Sequence, residues 1–171
     1  MVKFKSVHFE QLGAFIPPDE LTPTFYSKLE ELHFSGCKEI SDDLLMLVRD
    51  NSNLRTLKID LLESECRGFE WLLCAMGENS PIENVSLSVS IWSRVFAYYS
   101  GFLDQANVRD LELRVSCTCI ENQTAEVFAM IGRSGVLEKL TVKGFIYSSS
   151  VRPLCENLSR NESVQELTLE F

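Results

Sequence analysis

Apolar residues along the chain follow one template: an apolar residue, two of any kind, an apolar residue, one of any kind, an apolar residue. The template recurs seven times, as Phe4-Val7-Phe9, Leu29-Leu32-Phe34, Leu54-Leu57-Ile59, Ile82-Val85-Leu87, Val108-Leu111-Leu113, Leu137-Leu140-Val142 and Val164-Leu167-Leu169. The first members lie 25, 25, 28, 26, 29 and 27 residues apart. The alternation at the end of each template is that of a short strand with one buried face.

A second pattern precedes five of the templates by ten, nine and six residues. It comprises Leu44, Leu45 and Val48; Leu72, Leu73 and Met76; Tyr98, Tyr99 and Phe102; Val127, Phe128 and Ile131; and Leu154, Cys155 and Leu158. The i, i+1, i+4 spacing places each trio on one face of a helix. Each unit is therefore predicted to run strand, turn, helix, turn. Ser41 before Asp42 and Asp43 is a good N-cap with acids in the first turn. Ser93 and Thr124 are weaker caps, and Asn51, Asn79 and Gly135 mark helix exits.

The chain returns to the same edge in every unit, so the strands are expected to pair in parallel with the helices on one side. One unit cannot bury its own apolar stripe, but a stack can. Between the first two strands the helix pattern fails, with Asp19, Glu20 and Pro23 at its positions and Pro17 and Pro18 just before. Residues 10–28 are predicted to be an irregular, proline-containing connection.

Composition narrows the class. The chain has 171 residues, 45% hydrophobic and 24% charged, as expected for one globular domain with a real core. Its net charge is −9, which disfavours nucleic acid and anionic membranes, because phosphate binding needs a positive field. No apolar run is long enough to span a membrane. The start, MVKFKSVHFEQ, lacks the apolar stretch of a signal peptide.

The six cysteines (Cys37, Cys66, Cys74, Cys117, Cys119 and Cys155) include no CxxC and are too sparse for a disulfide scaffold. They are read as reduced, small apolar side chains in the cytoplasm or nucleus. Only two histidines, His8 and His33, are present, short of the ligands a structural zinc requires, so no metal and no cofactor is expected. Sequons at Asn84, Asn122, Asn157 and Asn161 are read as accidents of a serine-rich sequence.

The stretch KLEELHFSGCKEISDDLLMLVRDNSNLRTLKI resembles the ribonuclease-inhibitor-like leucine-rich-repeat superfamily, and the likeness runs from Phe4 to Phe171. It implies an α/β leucine-rich-repeat solenoid, a right-handed β-α superhelix of about six to seven repeats, with a concave parallel sheet and convex helices. The superfamily usually carries Asn or Cys eight residues after the first template member, and only Cys37 fits. The equivalents are Leu12, Leu62, Ser90, Ser116 and Phe145, so regular curvature is not implied.

Function would lie on the concave sheet. Among its outward positions are His8, His33, Lys58, Asp60, Glu112, Arg114 and Lys143, the candidate partner-binding residues. The 21 outward positions carry seven acidic and four basic side chains, a mixed polar surface suited to a protein partner. Asp110, Lys139 and Glu166 share one row, and Arg114, Lys143 and Glu170 another, so ion pairs along each row are expected. His8 and His33 fall on neighbouring strands beside Glu10 and Glu31, but spacing fixes no third ligand. Trp71 and Trp92 lie off the template and are expected to pack against neighbouring repeats, with Tyr98 and Tyr99 in the core.

No phosphate loop, HExxH or GxSxG motif occurs, and no nucleophile, base and orienting group can be placed together. A protein-protein interaction module is therefore expected, rather than an enzyme. The resemblance adds two specific roles: the substrate-receptor part of an F-box ubiquitin-ligase subunit, or the sensor region of a NOD-like innate immune receptor. Neither end of the repeat array carries a polar cap. The expectation is a segment of a longer protein, or ends covered by a partner or by end-to-end association.

Overall fold

The computed structural model describes residues 6–10, 27–36, 40–60, 68–77, 81–88, 107–115, 128–144 and 148–170. Among the described residues seven strands are interspersed with helices along the chain. They are β1 (Ser6–Glu10), β2 (Glu31–Ser35), α1 (Asp42–Asp50), β3 (Thr56–Asp60), α2 (Phe69–Gly77), β4 (Asn84–Ser88), β5 (Asp110–Val115), β6 (Lys139–Gly144), α3 (Ser148–Leu158) and β7 (Glu166–Glu170). Residues 128–131 are helical as well. Every strand begins two residues after the first member of its template.

All neighbouring strands pair in parallel, and their spatial order is their order in sequence. The result is an α/β architecture compatible with a solenoid-like stack, each rung advancing the sheet by one strand. The register never slips against the sequence template. Leu32, Leu57, Val85, Leu111, Leu140 and Leu167 are consecutive partners across six strands. Register is strongly specified here because a slip of one residue would turn every apolar side chain to the wrong face.

Packing follows from that alignment. Leu29, Leu54, Ile82, Val108 and Leu137 form one buried row, Leu32, Leu57, Val85, Leu111 and Leu140 a second, and Phe34, Ile59, Leu87, Leu113 and Val142 a third. Leu44, Leu47 and Val48 of α1 and Leu72, Leu73 and Met76 of α2 close over them in one continuous core. Each fully buried aliphatic side chain contributes roughly 1.5–3 kcal/mol relative to exposure. The helices thus cover the face carrying the template residues, and the opposite face of the sheet is open and polar.

Local chemistry sets the helix ends. The Leu44 N–H donates to Ser41 Oγ at 3.3 Å, so Ser41 caps α1 as its sequence position predicts. Gly68 precedes α2 at φ +81°, and its carbonyl accepts the Trp71 and Leu72 N–H groups. A Cβ there would sit 3.3 Å from the Ile40 carbonyl oxygen, so both the dihedral and the space favour glycine. Gly132 serves differently: a Cβ would meet Asn157 Cβ at 2.5 Å, so its lack of a side chain lets the 128–131 turn lie against α3.

A polar ladder connects the rungs behind the strands. Asn51, buried, donates from Nδ2 to the Leu29 carbonyl of the preceding rung at 3.1 Å and accepts the Asn53 N–H at Oδ1. Asn161 repeats the device, donating to the Gly132 and Ser134 carbonyls at 2.9 and 2.7 Å and accepting the Ser163 and Val164 N–H groups. Both asparagines stand three residues before their template, and Ser134, in the same position, accepts the Leu137 N–H at Oγ. A carbonyl buried between rungs is costly unless it accepts a hydrogen bond, and these side chains supply the donors. Cys37, eight residues after the first member of its template, lies outside the described residues.

Some expectations are revised. Cys155 is exposed and Leu45 only half-buried. Both occupy the middle position of the helix trio, about 100° from the first, where Leu73 of α2 is fully buried. Trp71 is 58% exposed rather than packed against another repeat. It stands one residue before the α2 trio, on the side turned away from the sheet. Neither Cys74 nor Cys155 is in a disulfide. The 10–28 connection, apart from Glu10 and the turn at 27–28, lies outside the described residues, as do Trp92, Tyr98, Tyr99 and the other four cysteines.

Candidate recognition surface

The strands' outward residues bring the sequence-selected side chains to one surface. Between the buried template positions, Glu31, His33 and Ser35 of β2 and Thr56, Lys58 and Asp60 of β3 reach the open face. Three rows run across the sheet at right angles to the strands, spaced ~4.8 Å from strand to strand. The middle row passes from His8 through His33, Lys58, Ser86, Glu112 and Thr141 to Thr168. The row nearest the strand ends passes from Glu10 through Ser35, Asp60, Ser88, Arg114 and Lys143 to Glu170. All seven candidate residues are therefore on these two rows.

Most of the charges answer one another. Lys58 Nζ lies 2.5 Å from Glu31 Oε1, bridging β3 to β2 on the diagonal. Lys139 Nζ lies 3.0 Å from Glu166 Oε2, the pair that shared template position predicts. That hydrogen bond to Glu166 holds the Lys139 ammonium above its ordinary pKa, with the charges of Glu166 and Asp110 adding to the effect. Lys143 Nζ stands between Glu112, at 3.5 Å, and Glu170, at 3.9 Å. Thr141, the register partner of Glu112, is buried although it sits at an outward position.

Arg114 departs from the expected row of ion pairs. Its register neighbour Lys143 is a second cation and turns to the two glutamates, leaving Arg114 exposed and without a partner among the described residues. Asp60, on the same row two strands away, likewise has no side-chain partner among the described residues. His8 and His33 are register partners as the sequence implies. Among the described residues no three His, Cys, Asp or Glu side chains come together to hold a metal ion.

The surface has a rim that sequence reasoning missed. At the residue following the first member of five consecutive templates, Glu30, Arg55, Glu83, Arg109 and Glu138 alternate in sign along the stack. Arg109 Nη1 reaches Glu138 Oε1 at 3.1 Å, and Arg55 Nη1 donates to the Pro81 carbonyl. The backbone carbonyls of the same five residues each accept two N–H groups from the next rung. The signal was legible as alternation at one fixed template position.

No helix among the described residues is long and apolar enough to cross a membrane. No protein-family model matches the chain, and no curated protein sequence matches it.

Proposed function

We propose that the chain is a leucine-rich-repeat module of the ribonuclease-inhibitor-like kind, a binding module that recognises a protein partner through the open face of its sheet. The observation that carries this reading is the open face itself: parallel strands in unbroken register present three rows of polar and charged side chains. Such a surface suits extended contact with another protein, and its mixed sign disfavours a polyanion. On this reading the open face is the concave side, and His8, His33, Lys58, Asp60, Glu112, Arg114 and Lys143 are the residues that meet the partner.

The test is affinity capture from cell extract with four proteins: wild type, Lys58→Glu, Arg114→Glu, and Arg152→Glu, which alters the exposed side of α3 instead. The expected result is a partner retained by wild type and Arg152→Glu and lost by both open-face variants. A partner held equally by all four would refute the assignment of the surface.

A further inference from the structure

Of the charged side chains described on the open face, the lysines and four of the glutamates are tied into bridges, and Asp110 acts on Lys139. Asp60 and Arg114 stand apart as the two charges without an ionic partner among the described residues. They occupy the same row, on β3 and β5, with Ser88 of β4 at the register position between them. Two strand spacings separate them, ~10 Å. A solvated charge is commonplace singly. Here two of opposite sign lie on one line, at a fixed separation, while the lysines and glutamates whose side chains are described on the same face are bridged to one another.

We propose, resting on the recognition surface assigned above, that this pair reads an extended protein segment laid across the strands, with a basic side chain on Asp60 and an acidic one on Arg114. The separation selects the ligand's backbone. In a polyproline II segment side chains return to the same side every third residue, about 9 Å along the axis. That matches two strand spacings. A β-strand ligand offers same-face spacings of about 7 or 13 Å, which fit neither one nor two strand steps as well. The ligand class is therefore a polyproline II segment carrying opposite charges three residues apart. Such a segment is already extended when free and loses little entropy on docking. Because polyproline II ligands can lie in either direction, the order of the two charges along the segment is not selected.

The test uses the full chain and fluorescein-labelled proline-rich nonamers in anisotropy titrations at low salt. One peptide carries lysine and glutamate three residues apart, and two others carry them two and four apart. Two more carry paired lysines or paired glutamates three apart. The expected result is tightest binding by the lysine–glutamate peptide at the three-residue spacing. Arg114→Glu should weaken it about fivefold and shift preference to paired lysines, and Asp60→Lys should shift preference to paired glutamates. A reciprocal switch of this kind is not produced by unfolding, and far-UV circular dichroism of each variant checks the fold. Equal binding at all spacings, no binding by any peptide, or no switch on charge reversal would overturn the proposal. If capture from extract still depends on Lys58 and Arg114 while spacing is ignored, the recognition surface stands and the spacing rule falls.

Discussion

Leu57 on β3 and Leu167 on β7 hold the same template position, yet Leu57 is 0% exposed and Leu167 is 45% exposed. Their sequence contexts are alike: Thr-Leu-Lys-Ile-Asp in one strand and Glu-Leu-Thr-Leu-Glu in the other. The difference is in their neighbours. β3 has β2 on one side and β4 on the other, while β7 has only β6 among the described residues. In a stacked fold, then, burial belongs to the interface between rungs rather than to the residue, and identical side chains contribute very different amounts to stability.

The sharpest way to break that comparison is to truncate both leucines. Leu57→Ala should cost about 3–4 kcal/mol, because it opens a cavity in a packed core. Leu167→Ala should cost about 1 kcal/mol, since much of that side chain is already in water. Urea unfolding of the two variants measures both values, and equal losses would refute the neighbour argument.

Two glycines three residues apart extend the test to the turn that precedes β6. Gly132→Ala should destabilise by about 2 kcal/mol, because the new methyl group must displace α3 at Asn157. Gly135→Ala meets nothing within 4 Å and should change stability by less than about 0.5 kcal/mol. Thermal melts of the two variants would separate a close approach from a general preference for glycine in this turn.

The asparagine ladder offers a finer comparison. Asn51→Ala should cost about 1–3 kcal/mol, since it strands a buried carbonyl at Leu29. Asn161→Ala removes more hydrogen bonds, but from a half-buried site where water can replace some of them, so its cost should be near the lower end of the same range, about 1 kcal/mol. A larger loss at Asn161 than at Asn51 would show that bond number outweighs burial.

The smallest effect is electrostatic. The hydrogen bond to Glu166 raises the Lys139 pKa in the folded chain. The folded state therefore binds that proton more tightly than the unfolded state. Its contribution is whole at neutral pH and fades as pH climbs through and above the ordinary lysine range. Lys139→Met should flatten that alkaline limb of the stability profile, measured as urea unfolding against pH. Because the pair is exposed, the effect should be small and should shrink further in high salt.

Much of the scaffold was legible in the sequence. The repeat template located all seven strands and their registers, because an apolar triplet with period two has only one face to bury. Ser41 announced the start of α1 through its side-chain acceptor and the two acids behind it. What stayed hidden depends on neighbours rather than on pattern. Thr141, register partner of Glu112 and Thr168, is buried although it sits at an outward position, and Cys155 is exposed although it satisfies the helix pattern. Asn51 reads in sequence as a helix exit; its role as a bridge to Leu29 appears only when the rungs are stacked. On the candidate surface, sequence placed the residues on common rows, but not the choice of Lys143 for Glu112 and Glu170 that leaves Arg114 without a partner among the described residues. That choice is made by side-chain reach between strands, which shared template position does not encode.

The central claim is that each template contributes one strand, stacked in sequence order and in register. Methyl–methyl nuclear Overhauser contacts test it most directly. Val85 should show contacts to the methyl groups of Leu57 and Leu111, its partners on either side, and none to Leu140, two strands beyond Val85 at ~10 Å. A spectrum in which Val85 contacts Leu140, or lacks either Leu57 or Leu111, would contradict the account.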